Sequence, residues 1–165
     1  MKKFLLSLIF IIALTGCNSI SNTPAKRVEN YFYKYQTLDK SVLDDLKKTL
    51  TYDGIAEKDM NDYLEFMKKH YQDLTYEIKN QKIDGDKATV EVLITTRNYS
   101  SAISNAEANK NDVYDFSAYR LDEMKKVKET TQYTLYITLT KKENKWKIDQ
   151  LSNEDLNKIN GLYSN

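Results

Sequence analysis

Cysteine, histidine, proline and glycine are all scarce in this 165-residue chain: one Cys, one His, one Pro and four Gly. A single thiol excludes an intrachain disulfide and a cysteine-built metal site. The lone histidine, His70, leaves no second imidazole for a zinc site. Beyond residue 16 the glycines are Gly54, Gly85 and Gly161, each at a turn or helix end, so no glycine-rich loop cradles a phosphate. A Gly-x-Ser-x-Gly nucleophile elbow is missing too. Neither charge sign is in excess, with 25 Lys and Arg against 24 Asp and Glu. That balance excludes a broadly basic nucleic-acid surface, and it gives no reason to expect a polybasic membrane patch. Repeats and low-complexity tracts are absent. What the chain has in quantity is tyrosine, thirteen residues, whose large apolar ring and polar tip suit core rims and interfaces alike.

The longest apolar run lies at the start. Lys2 and Lys3 precede Phe4 to Leu14, and Leu14-Thr15-Gly16-Cys17 follows. The run is shorter than the roughly 20 residues that a membrane span needs, but it has the length and flanks of an export signal. The only cysteine falls directly after a small residue, as cleavage requires. The segment resembles a bacterial lipoprotein signal, in which the Cys becomes the first residue of the mature chain and carries a thioether-linked diacylglycerol. This implies a signal peptide at 1–16, a lipidated Cys17 with a polar tether at 17–23, and one domain at 24–165. The expected location is the extracytoplasmic face of the cell membrane, reached through the general export route. No cofactor is expected beyond the covalent diacylglycerol, and no nucleic-acid partner. Without residues 1–16 the chain has 149 residues, and 23 basic residues face 24 acidic ones. That length suffices for a single adequate core.

Periodicity organises the rest. Thr23-Pro24 reads as a capped helix start, and Val28, Tyr31, Phe32, Tyr35 and Leu38 form one apolar stripe. Asp39 caps a second helix with Val42, Leu43, Leu46 and Leu50 on its buried face, and Asp53-Gly54 ends it. A third helix is predicted from Glu57 to Asp73. The period then changes to two. Tyr76 and Ile78 open a strand, Asp84-Gly85 signals a hairpin, and Ala88, Val90, Val92 and Ile94 alternate with polar residues. Residues 100–128 return to helix in two pieces, 102–108 and 112–128. Tyr133, Leu135, Ile137 and Leu139 then alternate in a strong strand. A charged turn at 141–145 leads to a last strand around Trp146 and Ile148. Ser152-x-x-Asp155 resembles a capping box for a final helix that Gly161 ends. Three helices, a hairpin, a helical insert, a second hairpin and a short helix predict an α+β domain: N-terminal helices packed on a curved antiparallel sheet.

Several stretches together resemble a family. They are Pro24-Ala-Lys-Arg-Val-Glu-Asn-Tyr-Phe32, Tyr35-Gln-Thr-Leu-Asp39, Tyr71-Gln-Asp-Leu-Thr-Tyr-Glu-Ile78, Ile83-Asp-Gly-Asp-Lys-Ala-Thr-Val90, Met124-Lys-Lys-Val127 and Lys145-Trp-Lys147. The pattern is similar to the small uncharacterised lipoproteins common in low-GC Gram-positive bacteria, and its arrangement to NTF2-like (cone-shaped α+β) extracytoplasmic lipoproteins. The resemblance implies location and fold, and it transfers no catalytic residue. NTF2-like folds host isomerases, dehydratases and binding modules, so the fold does not choose among them.

Candidate chemistry is sparse. His70 sits at the flank of the third helix's apolar stripe and reads as a boundary histidine without a special task. The acidic pairs Asp44-Asp45, Asp112/Asp115 and Glu154-Asp155 lack the alternating oxygen ligands and glycine of a calcium loop. An acid–base enzyme needs a carboxylate beside a tyrosine donor inside a concavity, and alternation sends Asp149 and Glu91 away from the apolar face. Tyr99, Tyr114, Phe116 and Tyr119 flank or sit on the helical insert, and excursions of this kind on a rigid scaffold often carry binding. The expectation is a non-enzymatic binding module for a protein, peptide or small ligand, with those four aromatics and the adjacent sheet as its surface. The alternative is an NTF2-like enzyme acting on a small apolar substrate. Cys17→Ala is predicted to abolish incorporation of labelled palmitate and to leave an uncleaved or released protein. Membrane association of a correctly processed, unlabelled species would contradict the lipoprotein reading.

Overall fold

The computed structural model describes residues 22–164. Cys17, the signal segment and most of the tether lie outside the described residues. Six helices and four strands follow the order α1 (Pro24–Gln36), α2 (Lys40–Tyr52), α3 (Met60–Asp73), β1 (Thr75–Asp84), β2 (Lys87–Thr96), α4 (Ser100–Ala108), α5 (Phe116–Lys126), β3 (Thr131–Lys142), β4 (Lys145–Ile148) and α6 (Asn153–Asn160). The strands form one antiparallel sheet in the order β1-β2-β3-β4. The α+β class predicted from the sequence is the observed one, and α4 and α5 are the helical insert between the two hairpins.

Local signals explain most element ends. Thr23 Oγ1 accepts from the Lys26 N–H at 3.2 Å, with Pro24 in the first turn. Asp39 Oδ1 accepts from the Ser41 N–H at 3.0 Å, and Ser152 Oγ from the Asp155 N–H at 3.0 Å. Each satisfies a donor that the first helical turn leaves orphaned. Three boundaries differ from the sequence reading. Glu57–Asp59 is a separate 3-10 turn ahead of α3. The second insert helix starts at Phe116, because Asp115 Oδ1 caps it by accepting from the Ala118 N–H at 3.3 Å. The first hairpin turns through Gly85 and Asp86, while Asp84 still pairs with Lys87. Glycine with φ +57° takes the first central position there, as a II′-type turn demands.

Two apolar clusters result. In the first, Val28 and Phe32 of α1 pack on Val90, Val92, Ile94, Leu135, Ile137 and Leu139, the inward face of β2 and β3. In the second, Leu46 and Leu50 of α2 meet Tyr63, Met67 and Tyr71 of α3 and Leu121 and Met124 of α5, away from the sheet. The opposite sheet face carries Glu91 across from Tyr136, which is 63% exposed. Asp149 is bound by the Thr140 hydroxyl at 2.8 Å. Both carboxylates thus lie off the apolar face, as alternation predicts.

The C-terminal turn is tightly seated. Gly161 caps α6 with φ +72°, and its carbonyl accepts from the Tyr99 N–H at 2.6 Å. A Cβ at this position would lie 2.5 Å from the Arg97 carbonyl oxygen and 2.9 Å from the Tyr99 ring. Gly54, at φ +71°, has nothing within 4 Å of such a Cβ. Gly54→Ala therefore carries left-handed strain alone, on the order of 1–2 kcal/mol. Gly161→Ala adds a backbone clash, and urea unfolding is expected to show it at least about 1 kcal/mol worse than Gly54→Ala. Equal losses would contradict the close seating.

Candidate functional site

A cleft of about 400 Å³ opens between the helices, not between the sheet and the insert. Tyr31, Lys34 and Tyr35 of α1 form one wall, and Leu46 and Leu50 of α2 the facing one. Tyr63, Met67 and Tyr71 of α3 form the floor with Met124 and Arg120 of α5. Leu156, Asn160 and Leu162 close the C-terminal end. The volume lies within the usual range of small-ligand sites, and so does a mostly apolar lining with few polar groups.

The α1–α2 junction makes this opening. Leu38 takes φ +56°, the Asp39 N–H reaches back to the Lys34 carbonyl at 2.9 Å, and α2 leaves in a new direction. Two tyrosines of α1 and one of α3 then meet in the cleft. The Tyr31 and Tyr35 hydroxyls are 3.1 Å apart. Tyr35 meets Tyr71 edge-to-face at 4.9 Å, and Tyr71 donates to Asn160 Oδ1 at 3.0 Å. Burial pushes the phenols of Tyr31, Tyr35 and Tyr71 up. At neutral pH they are neutral hydrogen-bonding groups.

The polar end of the cleft is Arg120. Its Nε is buried without a hydrogen-bond partner. The buried Asp59 Oδ2 and Ser117 Oγ also lack partners, and Tyr63 beside them donates to the Ser117 carbonyl at 2.9 Å. Burial raises the Tyr63 phenol and the Arg120 charge opposes that rise. Buried polar atoms left unpaired cost about 1–3 kcal/mol each, and of these three residues Arg120 alone lines the cleft. The cleft's carboxylates, Asp45 and Asp53, are exposed. Among the described residues no group of three or more His, Cys, Asp or Glu side chains is arranged to hold a metal ion.

His70 corrects the sequence reading. It is 2% exposed and central to the fold, not a boundary residue. One ring nitrogen, Nε2, lies 2.9 Å from the Ile159 carbonyl oxygen, which can only accept. Nε2 therefore carries the proton, and Nδ1 accepts from the Tyr99 hydroxyl at 3.1 Å. The imidazole bridges α3, the start of the insert and α6. The signal was present in the sequence: His70 falls three residues after Met67 and seven after Tyr63, on the buried stripe.

The four aromatics predicted as a binding surface do not converge. Tyr99 is 1% exposed and belongs to the core, its ring 5.1 Å from Phe66. Tyr114 is fully exposed on the link between α4 and α5. Phe116 is half-buried at the start of α5, under the Lys110 ammonium at 5.0 Å, and Tyr119 is half-buried on the same helix. The insert instead reaches the cleft through Arg120, which no motif marks, and Met124. The sheet contributes no lining residue. No family model matches the chain, and neither a curated protein nor a solved structure does.

Burial pulls the His70 imidazole down to about 4; the Arg97 charge adds to the fall, while the Ile159 hydrogen bond and Asp73 oppose it. The unfolded chain, with an ordinary histidine near 6.5, binds this proton first. His70's contribution is therefore complete above about pH 6.5 and is lost as pH falls toward 4. Between pH 7 and 4.5 the loss is expected to be about 2–3 kcal/mol. Urea unfolding of wild type against His70→Gln, which lacks this titration, measures it. Parallel curves for the two proteins across that window would contradict it.

Proposed function

We propose that this chain is a lipid-anchored extracytoplasmic lipoprotein whose domain is a non-enzymatic binding module for a small, mostly apolar ligand with one polar end. The reading of the N-terminal segment supports the anchor. The observation that carries the binding role is the cleft: mostly apolar walls from five helices, with the half-buried Arg120 among its lining residues. The ligand's apolar part would lie along Leu46, Leu50, Met67 and Met124, and its polar end would accept from Arg120. Binding would move apolar surface from water at about 25 cal/mol per Å², and the Arg120 side chain would donate to the ligand's polar end. The tyrosine hydroxyls offer further neutral contacts without being ionised. Acid–base catalysis is less well supported, because the carboxylates of the cleft sit exposed rather than beside a tyrosine in its interior.

An anionic apolar dye, anilinonaphthalene sulfonate, serves as the probe. Saturable one-site binding is expected. Leu46→Trp, which fills the cleft, is expected to weaken it at least tenfold, and Arg120→Gln by several-fold. Equal affinity in wild type and Leu46→Trp, with both proteins folded, would remove the cleft from the account.

A further inference from the structure

The near-neutral balance of the chain conceals a local segregation of charge. Lys141, Lys142, Lys145 and Lys147 lie within seven residues of the β3–β4 hairpin. Its turn residues, Glu143 and Asn144, have φ +51° and +59°, the pair of left-handed positions that a tight I′-type turn uses. Lys142 pairs directly with Lys145 across the hairpin, and Lys147 with Thr140. Alternation therefore puts Lys142, Lys145 and Lys147 on one face, the face away from Trp146.

Like charges directly opposite in an antiparallel pair are destabilising, and here nothing described offsets them. Eleven lysines elsewhere lie within 4 Å of a carboxylate. None of the four hairpin lysines forms an ion pair with a described residue. The first hairpin turn, at the same end of the sheet, adds Lys82 and Lys87 and the acids Asp84 and Asp86; Glu143 and Asp149 complete the set. Six lysines against four acids leave +2 at an end of a chain that is −1 without residues 1–16.

The chain enters the domain at this same end. Asn22 Oδ1 accepts from the Trp146 N–H at 3.4 Å, and the Asn22 amide donates to the Asn144 carbonyl. Cys17 is five residues earlier in the sequence, and five residues span at most roughly 17 Å. If Cys17 bears the lipid, the hairpin cannot sit far from the headgroups, and a surface potential acts over about 8–10 Å.

We propose that the β3–β4 hairpin is a docking surface for anionic phospholipid headgroups, which orients the anchored domain with this hairpin against the bilayer. The proposal rests on the lipoprotein reading for its geometry, while the attraction itself resides in the lysines. A lysine near an anionic surface contributes about fivefold in binding, so the hairpin adds an electrostatic contact to the acyl anchor.

The test uses the chain from residue 18 onward, which keeps every contact described above. It is sedimented with vesicles of neutral phosphatidylcholine or of phosphatidylcholine mixed equally with phosphatidylglycerol. The expected result is binding to the anionic vesicles only, lost at about 1 M salt, where screening shortens to ~3 Å. Replacing Lys141, Lys142, Lys145 and Lys147 by Gln is expected to reduce binding at least a hundredfold without lowering Tm. Replacing the paired Lys40, Lys48 and Lys68 by Gln is expected to leave half or more of it. Equal sedimentation with both vesicle types, unchanged binding by the hairpin variant, or binding to soluble polyphosphate in place of vesicles would overturn the proposal. This chain lacks Cys17, so a failure here is separate from a failure of palmitate labelling, which tests the anchor.

Discussion

One neutral imidazole fastens the third helix, the start of the insert and the last helix together. His70 donates from Nε2 to the Ile159 carbonyl and accepts at Nδ1 from the Tyr99 hydroxyl. Tyr99 in turn holds Gly161 through its backbone N–H. One residue along, Tyr71 binds Asn160. Asn98 adds donors to the Tyr163 carbonyl and the Tyr133 hydroxyl, each at 2.8 Å. A helix of eight residues has little stability of its own. Its position therefore depends on these buried polar contacts and on Ile159, which is fully buried. The end wall of the cleft, Leu156, Asn160 and Leu162, belongs to that fastened segment, so the shape of the cleft depends on His70 at one remove.

The fold separates two tasks in space. The sheet and α1 make a dry core and carry the chain entry and the basic hairpin. The second cluster, built by α2, α3 and the insert, meets α1 through Tyr35, and the cleft opens beside that contact. The sequence places Val42, Leu46 and the slender Met67 and Met124 at that gap. Such side chains adapt to an irregular occupant.

Much of the architecture was legible because it is local. The Thr23, Asp39 and Ser152 caps, the alternation from Ala88 to Ile94 and from Tyr133 to Leu139, and the Gly161 stop each follow from a few neighbouring residues. What the sequence concealed depends on contacts between distant positions. His70 looks polar, and only the carbonyl of Ile159, 89 residues away, makes its burial affordable. Tyr99 reads as a surface aromatic until that same imidazole accepts its proton. Arg120 belongs to no motif; its meaning comes from lining the cleft with its Nε buried and unpaired. The lysines of the last hairpin were visible, but overall charge balance averaged them away, and only the pairing register sets Lys142 against Lys145.

The central claim is that a neutral, Nε2-protonated His70 holds the C-terminal wall of the cleft. Nitrogen-15 NMR of the imidazole, followed from pH 7.5 to 4.5, tests it most directly. A protonated-type shift at Nε2, an acceptor-type shift at Nδ1 and no midpoint until the pH approaches about 4 are expected. Averaged ring shifts with a midpoint at the ordinary value near 6.5 would contradict it, and would release α6 from the role assigned to it.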